Sequence, residues 1–365
     1  MIRRLNPLWQ WAAILALSAA SVFLLQQAAV PAAFLIGSMV PAIAFGANGA
    51  SIRVPTPLYF SVQAVIGCLV ARGITPAILA FLLRHWPIVL LVIGTTILAS
   101  TIVAALLVRF GKMPGTTAVW GSSPGAAGAM ILMAEEFGAD ARLVALMQYI
   151  RVVFVVVTAS LVSRLWLDHF PSHAAAAIGH TVAPVDGGPI AVLETLAIIA
   201  CGLFAGQRLR FPGGAPLVPL FLGTALQITG LVQITLPPWL LVAAYMLLGW
   251  QVGLRFTRDI LAHAFRMLGQ MFFSCFANVI LAALSAWLLA WLLNIDGLTA
   301  YLATSPGGLD SIAVISLSIN VDSSLVMALQ TLRLIVVLLI GPWMAKSISR
   351  IAVAQGMLGR ERGRP

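Results

Sequence analysis

Two arginines stand where an apolar chain has least use for charge. Arg151 follows Gln148 by three residues, and Arg333 follows Gln330 by three. At that spacing each pair shares one face of a helix. A charge near the bilayer centre costs roughly 2.5–3.5 kcal/mol on insertion scales. These side chains therefore either brace polar backbone, pair with an acid, or meet an anion. Upstream of each pair stands the same tripeptide: Ser123, Pro124 and Gly125, and again Ser305, Pro306 and Gly307. Ser at an N-cap with Pro at the first helical position signals a helix start. The pattern predicts a helix that begins inside each apolar segment, at Pro124 and at Pro306. Backbone interrupted at membrane depth survives only where protein buries it or a wet cavity meets it. Its free amides and positive dipole end would form an anion site, and the glycines would let a solute come close. These ten residues are the candidate solute site.

Asp310 lies just past Pro306, where the first copy has Gly128. It is the first candidate for coupling a proton or sodium ion, and otherwise a dipole partner for its own helix. Glu194 is the second candidate. Asp140 and Asp322 read as caps of the helices that follow them. Glu135 and Glu136 read as interface residues, and Asn278 as a helix–helix hydrogen bond within an apolar span. His169, His173 and His180 have no metal-site spacing on one helix face and read as loop residues. Cys68, Cys201 and Cys275 are isolated in apolar segments and read as small hydrophobes rather than a disulfide or metal set. The sequence calls for no metal and no cofactor, and it has no phosphate-binding loop for pumping driven by ATP.

The elements that must position these residues are apolar throughout. Of 365 residues, 61% are hydrophobic and 9% charged, and the mean hydropathy is +1.03. A soluble domain carries about 25% charged residues, so this chain is read as an all-α polytopic membrane protein. Apolar spans fall at 8–25, 31–47, 57–70, 86–108 and 142–166, with a broken segment at 116–137. The second half gives 190–205, 216–231, 239–254, 271–293 and 325–345, with a broken segment at 298–319. Residues 1–166 form a first transmembrane repeat, 167–189 a Pro-, Gly- and His-bearing linker, 190–350 a second repeat and 351–365 a basic tail. The net charge of +10 suits loops and tails that fix orientation rather than nucleic-acid binding, for which no basic soluble domain exists. The Arg pair before the first apolar run resembles a signal sequence, but the run is long and reads as an uncleaved first span.

The two halves align at an offset of 182 residues, from Ser123 to Ser305. At that offset Pro124 meets Pro306, Asp140 meets Asp322, Gln148 meets Gln330, Arg151 meets Arg333, and Gly67 meets Gly249. Apolar composition alone cannot align Pro, Asp, Gln and Arg together. Repeats of this kind point to transporters, whose sites form where the halves meet. Arg3 and Arg4 precede the first half, whereas His180, Asp186 and Glu194 open the second without Lys or Arg. Arg208 and Arg210, then Arg255, Arg258 and Arg266, continue the alternation, against which Arg72, Arg84 and Arg164 dissent. The balance predicts an inverted second repeat with both termini cytoplasmic. Each repeat would then hold five spans plus a broken or re-entrant helix.

The block from Ser122 to Val153, "SSPGAAGAMILMAEEFGADARLVALMQYIRVV", resembles the AbrB family of bacterial integral membrane proteins, which carry an internal duplication. The resemblance covers essentially the whole chain, and the second copy departs from it at Gly308, Leu309 and Asp310. Members carry the labels ammonia monooxygenase or regulator. By analogy the resemblance implies a fold similar to inverted-repeat carriers with crossed broken helices. Five scattered histidines do not supply the ligand cluster that copper or iron oxygenase chemistry needs.

The expected function is a secondary transporter of the inner membrane, not an enzyme, that moves a small organic anion by alternating access. Its partners would be the solute, a proton or sodium ion and membrane lipid, without nucleic acid; a homo-oligomer is compatible with the sequence. A channel, or a membrane-embedded sensor acting indirectly on gene expression, are the alternatives.

Overall fold

Among the residues described by the computed structural model (6–111, 115–123, 130–131, 134, 137–169, 188–208, 214–258, 268–319 and 321–354), every regular element is a helix. The first half gives α1 (Pro7–Gln27), α2 (Ala33–Ala47), α3 (Thr56–Gly73), α4 (Pro76–Arg84), α5 (Trp86–Gly111), α6 (Gly115–Ser122) and α7 (Ala141–His169). The second gives α8 (Pro189–Arg208), α9 (Gly214–Ile228), α10 (Pro238–Gly253), α11 (Leu268–Leu293), α12 (Gly297–Thr304), α13 (Leu309–Leu317) and α14 (Ser323–Ala354). Helices α1, α5, α7 and α11 are long and apolar enough to cross a membrane. The pair α3–α4, bent by 73° at a short break, would make a fifth span. Sequence pattern did not separate α4. Pro76 biases Thr75 away from helix, which ends α3, and the Thr75 hydroxyl accepts from Ile78 N at 3.3 Å.

The duplication reappears in the helix bounds. At the 182-residue offset α5 and α11 coincide at both ends, as do α6 and α12, while α1 and α8, and α7 and α14, share their first residue. The helices gather into two compact units. One takes residues 1–84, 156–265 and 310–328, and the other takes 85–155, 266–309 and 329–365. Each unit thus draws on both halves of the chain.

In the first unit α1 packs on α2, α8 on α9, α2 on α10 and α3 on α9. Exchanging the halves carries the first of these pairings onto the second, and the third onto the fourth. Close backbone approach holds the last two. A methyl on Gly67 would run into the Pro216 carbonyl, and one on Gly249, its repeat mate, would lie 2.6 Å from the Leu35 carbonyl. With no hydrophobic drive between helices in lipid, small residues at such contacts gain dispersion through proximity. The outward faces are apolar to match. Helix α1 buries Gln10, Ile14, Ser18 and Val22, while Leu8, Trp9, Phe23 and Leu24 are exposed. Its buried polar groups are paired. Gln10 and Ser51 exchange bonds of 3.1 and 3.0 Å, and Trp250 Nε1 donates to Ser18 Oγ at 2.9 Å. In water this face pattern would be inside out; against lipid it is the stable one.

In the second unit α5 packs on α11, α5 on α6 and α11 on α12. Ser122 Oγ ties α6 to α5 by donating to Ser100 O at 3.3 Å, and Thr304 Oγ1 ties α12 to α11 by donating to Ala282 O at 3.1 Å. Ser100 and Ala282 are repeat mates, as are Ser122 and Thr304.

Placing a side chain at Gly67 should therefore be costly. Gly67→Ala is expected to lose about 1–3 kcal/mol by overpacking, read as a lowered thermal midpoint in detergent. Gly94→Ala, at a helical position with nothing within 4 Å of the added methyl, should be neutral or slightly stabilising.

Candidate functional site: two braced helix ends

The second break is fully described. Helix α12 stops at Thr304, and Ser305 is its C-cap, with φ −51° and ψ 136°. Residues 305–308 are non-helical, and α13 begins at Leu309. This corrects the reading of Ser305 as an N-cap with Pro306 at the first helical position. A residue before proline is pushed to extended backbone, so Ser305-Pro306 ends the preceding helix, and the next one starts past Gly308. Ser305 N donates back to Tyr301 O at 2.8 Å. In the first copy α6 stops at Ser122, and Ser123 Oγ donates back to Val119 O at 2.7 Å, which again ties the serine to the preceding helix. Pro124 and Gly125, with Gly128, Glu135 and Glu136, lie outside the described residues.

A helix end buried in an apolar chain leaves carbonyls without partners. The Gln–Arg pairs supply them. Gln330 Nε2 donates to Leu302 O at 2.8 Å and Ser305 O at 3.2 Å. Gln148 Nε2 donates to Trp120 O at 2.7 Å and Ser123 O at 3.2 Å, the repeat-related atoms. Arg151 Nη1 donates to Ser123 O. Arg333 bridges the break: Nη1 donates to Ser305 O at 2.6 Å and Thr304 O at 3.5 Å, and Nη2 to Gly307 O at 2.8 Å and to Gln330 Oε1. A cation at the carbonyl end of a helix also meets the negative end of its dipole. Arg151 is 2% exposed and Arg333 3%.

Two small cavities adjoin the arginines, each of about 10 Å³, near the room one water needs. The first is lined by Arg151 with Ser122, Met147, Ser274, Cys275 and Asn278. The second is lined by Arg333 with Thr96, Ser100, Thr304, Pro306 and Asn278. Asn278 lines both. Its Nδ2 donates to Ser274 O at 3.0 Å, and its Oδ1 accepts from Ser100 Oγ at 3.4 Å. It is thus the helix–helix hydrogen bond expected of it and also a wall of the site. The second cavity contains both members of two repeat pairs, Thr96 with Asn278 and Ser100 with Ala282, so it sits where the two copies face each other.

Ser123, Gln148, Arg151, Ser305, Pro306, Gly307, Gln330 and Arg333 therefore gather at braced helix ends within one unit. Asp310 is the second residue of α13, just past the break, and its side chain lies outside the described residues. Glu194 is half-buried on α8, in the other unit. Asp140 Oδ1 accepts from Leu143 N, and Asp322 Oδ1 from Leu325 N, at 3.1 and 3.0 Å, as caps should. His173, His180 and the linker around them lie outside the described residues, as does the His169 side chain. Among the described residues no three His, Cys, Asp or Glu side chains gather as a metal site. Ser100, Ser122, Thr304 and Thr96 were not singled out in the sequence. Their signal was a hydroxyl inside an apolar span, at or beside a repeat-matched position.

Helices able to cross a bilayer, outward faces of exposed apolar side chains and a charge braced inside the packing define a multi-pass helical membrane protein. The chain belongs to the AbrB family: residues 34–349 match the family described as transition state regulatory protein AbrB. A protein of Escherichia coli (strain K12), named as a proposed regulator, AbrB, is 44% identical over 348 residues, covering 95% of this chain and 98% of the relative. YhjN of Bacillus subtilis (strain 168), an uncharacterized protein, is 28% identical over 360 residues, covering 93% of this chain and 92% of the relative.

The brace can be tested through stability. Gln330→Leu removes donors from two buried carbonyls and the acceptor from Arg333, and should cost about 1–3 kcal/mol. Arg333→Lys keeps the charge but loses the planar fork and should also lower the thermal midpoint in detergent. Wild-type melting in both variants would mean that the break does not need its brace.

Proposed function

We propose that this chain is a secondary transporter of the bacterial inner membrane that moves a small organic anion by alternating access. The observation that carries the reading is Arg333. It is a buried cation whose hydrogen-bonded partners among the described residues are neutral oxygens. A membrane protein seldom keeps such a charge without a task. Its position beside a break and a polar cavity suits a passing anion, whose charge would offset its own. Arg151 and the carbonyl of Ser123 would form the matching half of the site, and the sequence assigns Pro124 and Gly125 to that half.

In this reading the two repeats are inverted, each with five spans and a broken helix, and both termini are cytoplasmic. Inversion gives each break an equivalent path to the opposite face, and one bundle rocks against the other to expose them in turn. Asp310 is the first candidate for coupling a proton or sodium ion, and Glu194 the second. The chain needs no cofactor and carries out no catalysis. The Escherichia coli relative's name makes it a proposed regulator; an effect on gene expression would reach the cell indirectly, through the level of the solute moved.

The test is flux in proteoliposomes holding the full-length chain, with labelled lactate, succinate and methylphosphonate as probes. An imposed proton or sodium gradient should drive at least one of them above its equilibrium level. Arg333→Gln, purified as a monodisperse sample, should slow that uptake roughly tenfold or more, the worth of one charge-assisted contact. Flux indifferent to every gradient would indicate a channel, and no flux of any probe a sensor. Uptake at the wild-type rate in Arg333→Gln would remove the arginine from the solute path.

A further inference from the structure

The packing of α5 on α11 leaves a groove that shares no lining residue with the cavities beside Arg151 and Arg333. Thr95 Oγ1 on α5 donates to Ser285 Oγ on α11 at 3.2 Å, and Ser100 Oγ donates to Asn278 Oδ1 at 3.4 Å. Numbers fall along α11 as they rise along α5, so the two helices run antiparallel. The last turn of α5 therefore lies beside the first turn of α11. Between these ends Leu106, Leu107, Phe110, Gly269, Gln270 and Phe273 line a groove of about 360 Å³, within the roughly 300–1,000 Å³ usual for ligand clefts. Phe110 and Phe273 are exposed. We infer that this groove binds one anionic phospholipid of the phosphatidylglycerol type. Its acyl chain lies on the apolar wall, its phosphate meets Arg109 and a headgroup hydroxyl meets Gln270. The inference needs the membrane class of the chain and not the transporter reading.

An apolar wall that faces hydrocarbon accepts the chain of any lipid, so the headgroup contacts must carry the choice. Arg109 is exposed, in the last turn of α5. Its Cζ lies 5.8 Å from the centroid of the Phe110 ring, which is a wall of the groove. A guanidinium is thus held at the groove's edge, and a guanidinium forks onto phosphate oxygens. On the α11 side the Gln270 Oε1 atom is buried and has no hydrogen-bond partner among the described residues. A buried acceptor in that state lacks a donor, and a glycerol headgroup brings hydroxyls. Phosphatidylcholine brings no N–H or O–H. Phosphatidylethanolamine does, but its ammonium adds positive charge beside Arg109. In sequence, Lys112 follows α5 directly and Arg266 stands two residues before α11. Clustered Lys and Arg at the ends of spans attract anionic lipid.

The experiment is native mass spectrometry of the full-length protein in detergent, titrated with phosphatidylglycerol, phosphatidylethanolamine and phosphatidylcholine that carry the same acyl chains. One phosphatidylglycerol should stay bound in preference to either of the others. Arg109→Gln should weaken its apparent affinity about fivefold, the worth of one arginine beside an anionic surface. Arg84→Gln, at the exposed end of α4, should leave it unchanged. Gly269→Phe places a ring where an added Cβ meets nothing within 4 Å; it fills the groove and should lower retention of phosphatidylglycerol. Phosphatidylcholine or phosphatidylethanolamine held as firmly as phosphatidylglycerol overturns the inference on the wild-type protein alone, whether or not any variant folds. Wild-type retention in a folded Arg109→Gln or Gly269→Phe also overturns it, as does an equal loss in Arg84→Gln. A wild-type dimer that Gly269→Phe separates, with lipid retention unchanged, gives the groove to a second copy of the chain instead. Lipid retention is read without flux, so the lipid site and the transporter reading stand or fall separately.

Discussion

The hydrogen bonds from Arg333 to the carbonyls of Ser305 and Gly307 are the constraint on which the rest of the site depends. A helix cannot stop inside an apolar packing without leaving carbonyls that no water can reach. The chain supplies a forked cation at that place, and Gln330, one helical turn away, completes the set. Two costs are met by one contact, because the stranded carbonyls gain donors and the buried charge gains solvation from peptide dipoles. With the brace in place, residues 305–308 can remain non-helical, Pro306 can line a cavity, and the Ser305 hydroxyl can stay unengaged. The first copy repeats the arrangement through Gln148, Arg151 and Ser123.

The two compact units are held by different means. The first relies on close approach of backbones, at Gly67 against Pro216 and at Gly249 against Leu35, and its exposed faces are apolar. The second carries hydroxyls, amides and both arginines in its interior. Dispersion between small residues yields rigid contacts that have no alternative arrangement.

Much of this was legible in the sequence. Hydropathy gave the helical class, and the 182-residue offset gave a duplication that the ends of α5 and α11 repeat. The Gln–Arg pairs were recognised because charge inside an apolar span must have a partner. Ser305-Pro306 was misread because a serine before a proline satisfies two rules, one for starting a helix and one for ending it. Local pattern does not say on which side of the pair the helix lies; Gly308 and the carbonyls stranded at Leu302 and Thr304 decide it. Thr96, Ser100 and Thr304 escaped notice because a lone hydroxyl in a span usually bonds back to its own helix. They do so here as well, and only the packing of α5 and α12 on α11 brings them round one cavity with Asn278. The bend between α3 and α4 was foreshadowed by Pro76 alone.

The pairing of α2 with α10 and of α3 with α9 has a consequence for biogenesis. Each half keeps its glycine-bearing surface for the other half to cover. At about 5–20 residues per second, on the order of ten to forty seconds of translation separate a helix from its eventual neighbour. During that interval the early helices sit in the bilayer with closely spaced small residues facing lipid or the insertion machinery. Duplication has thus produced a chain whose N-terminal half is a nascent template, awaiting its twin.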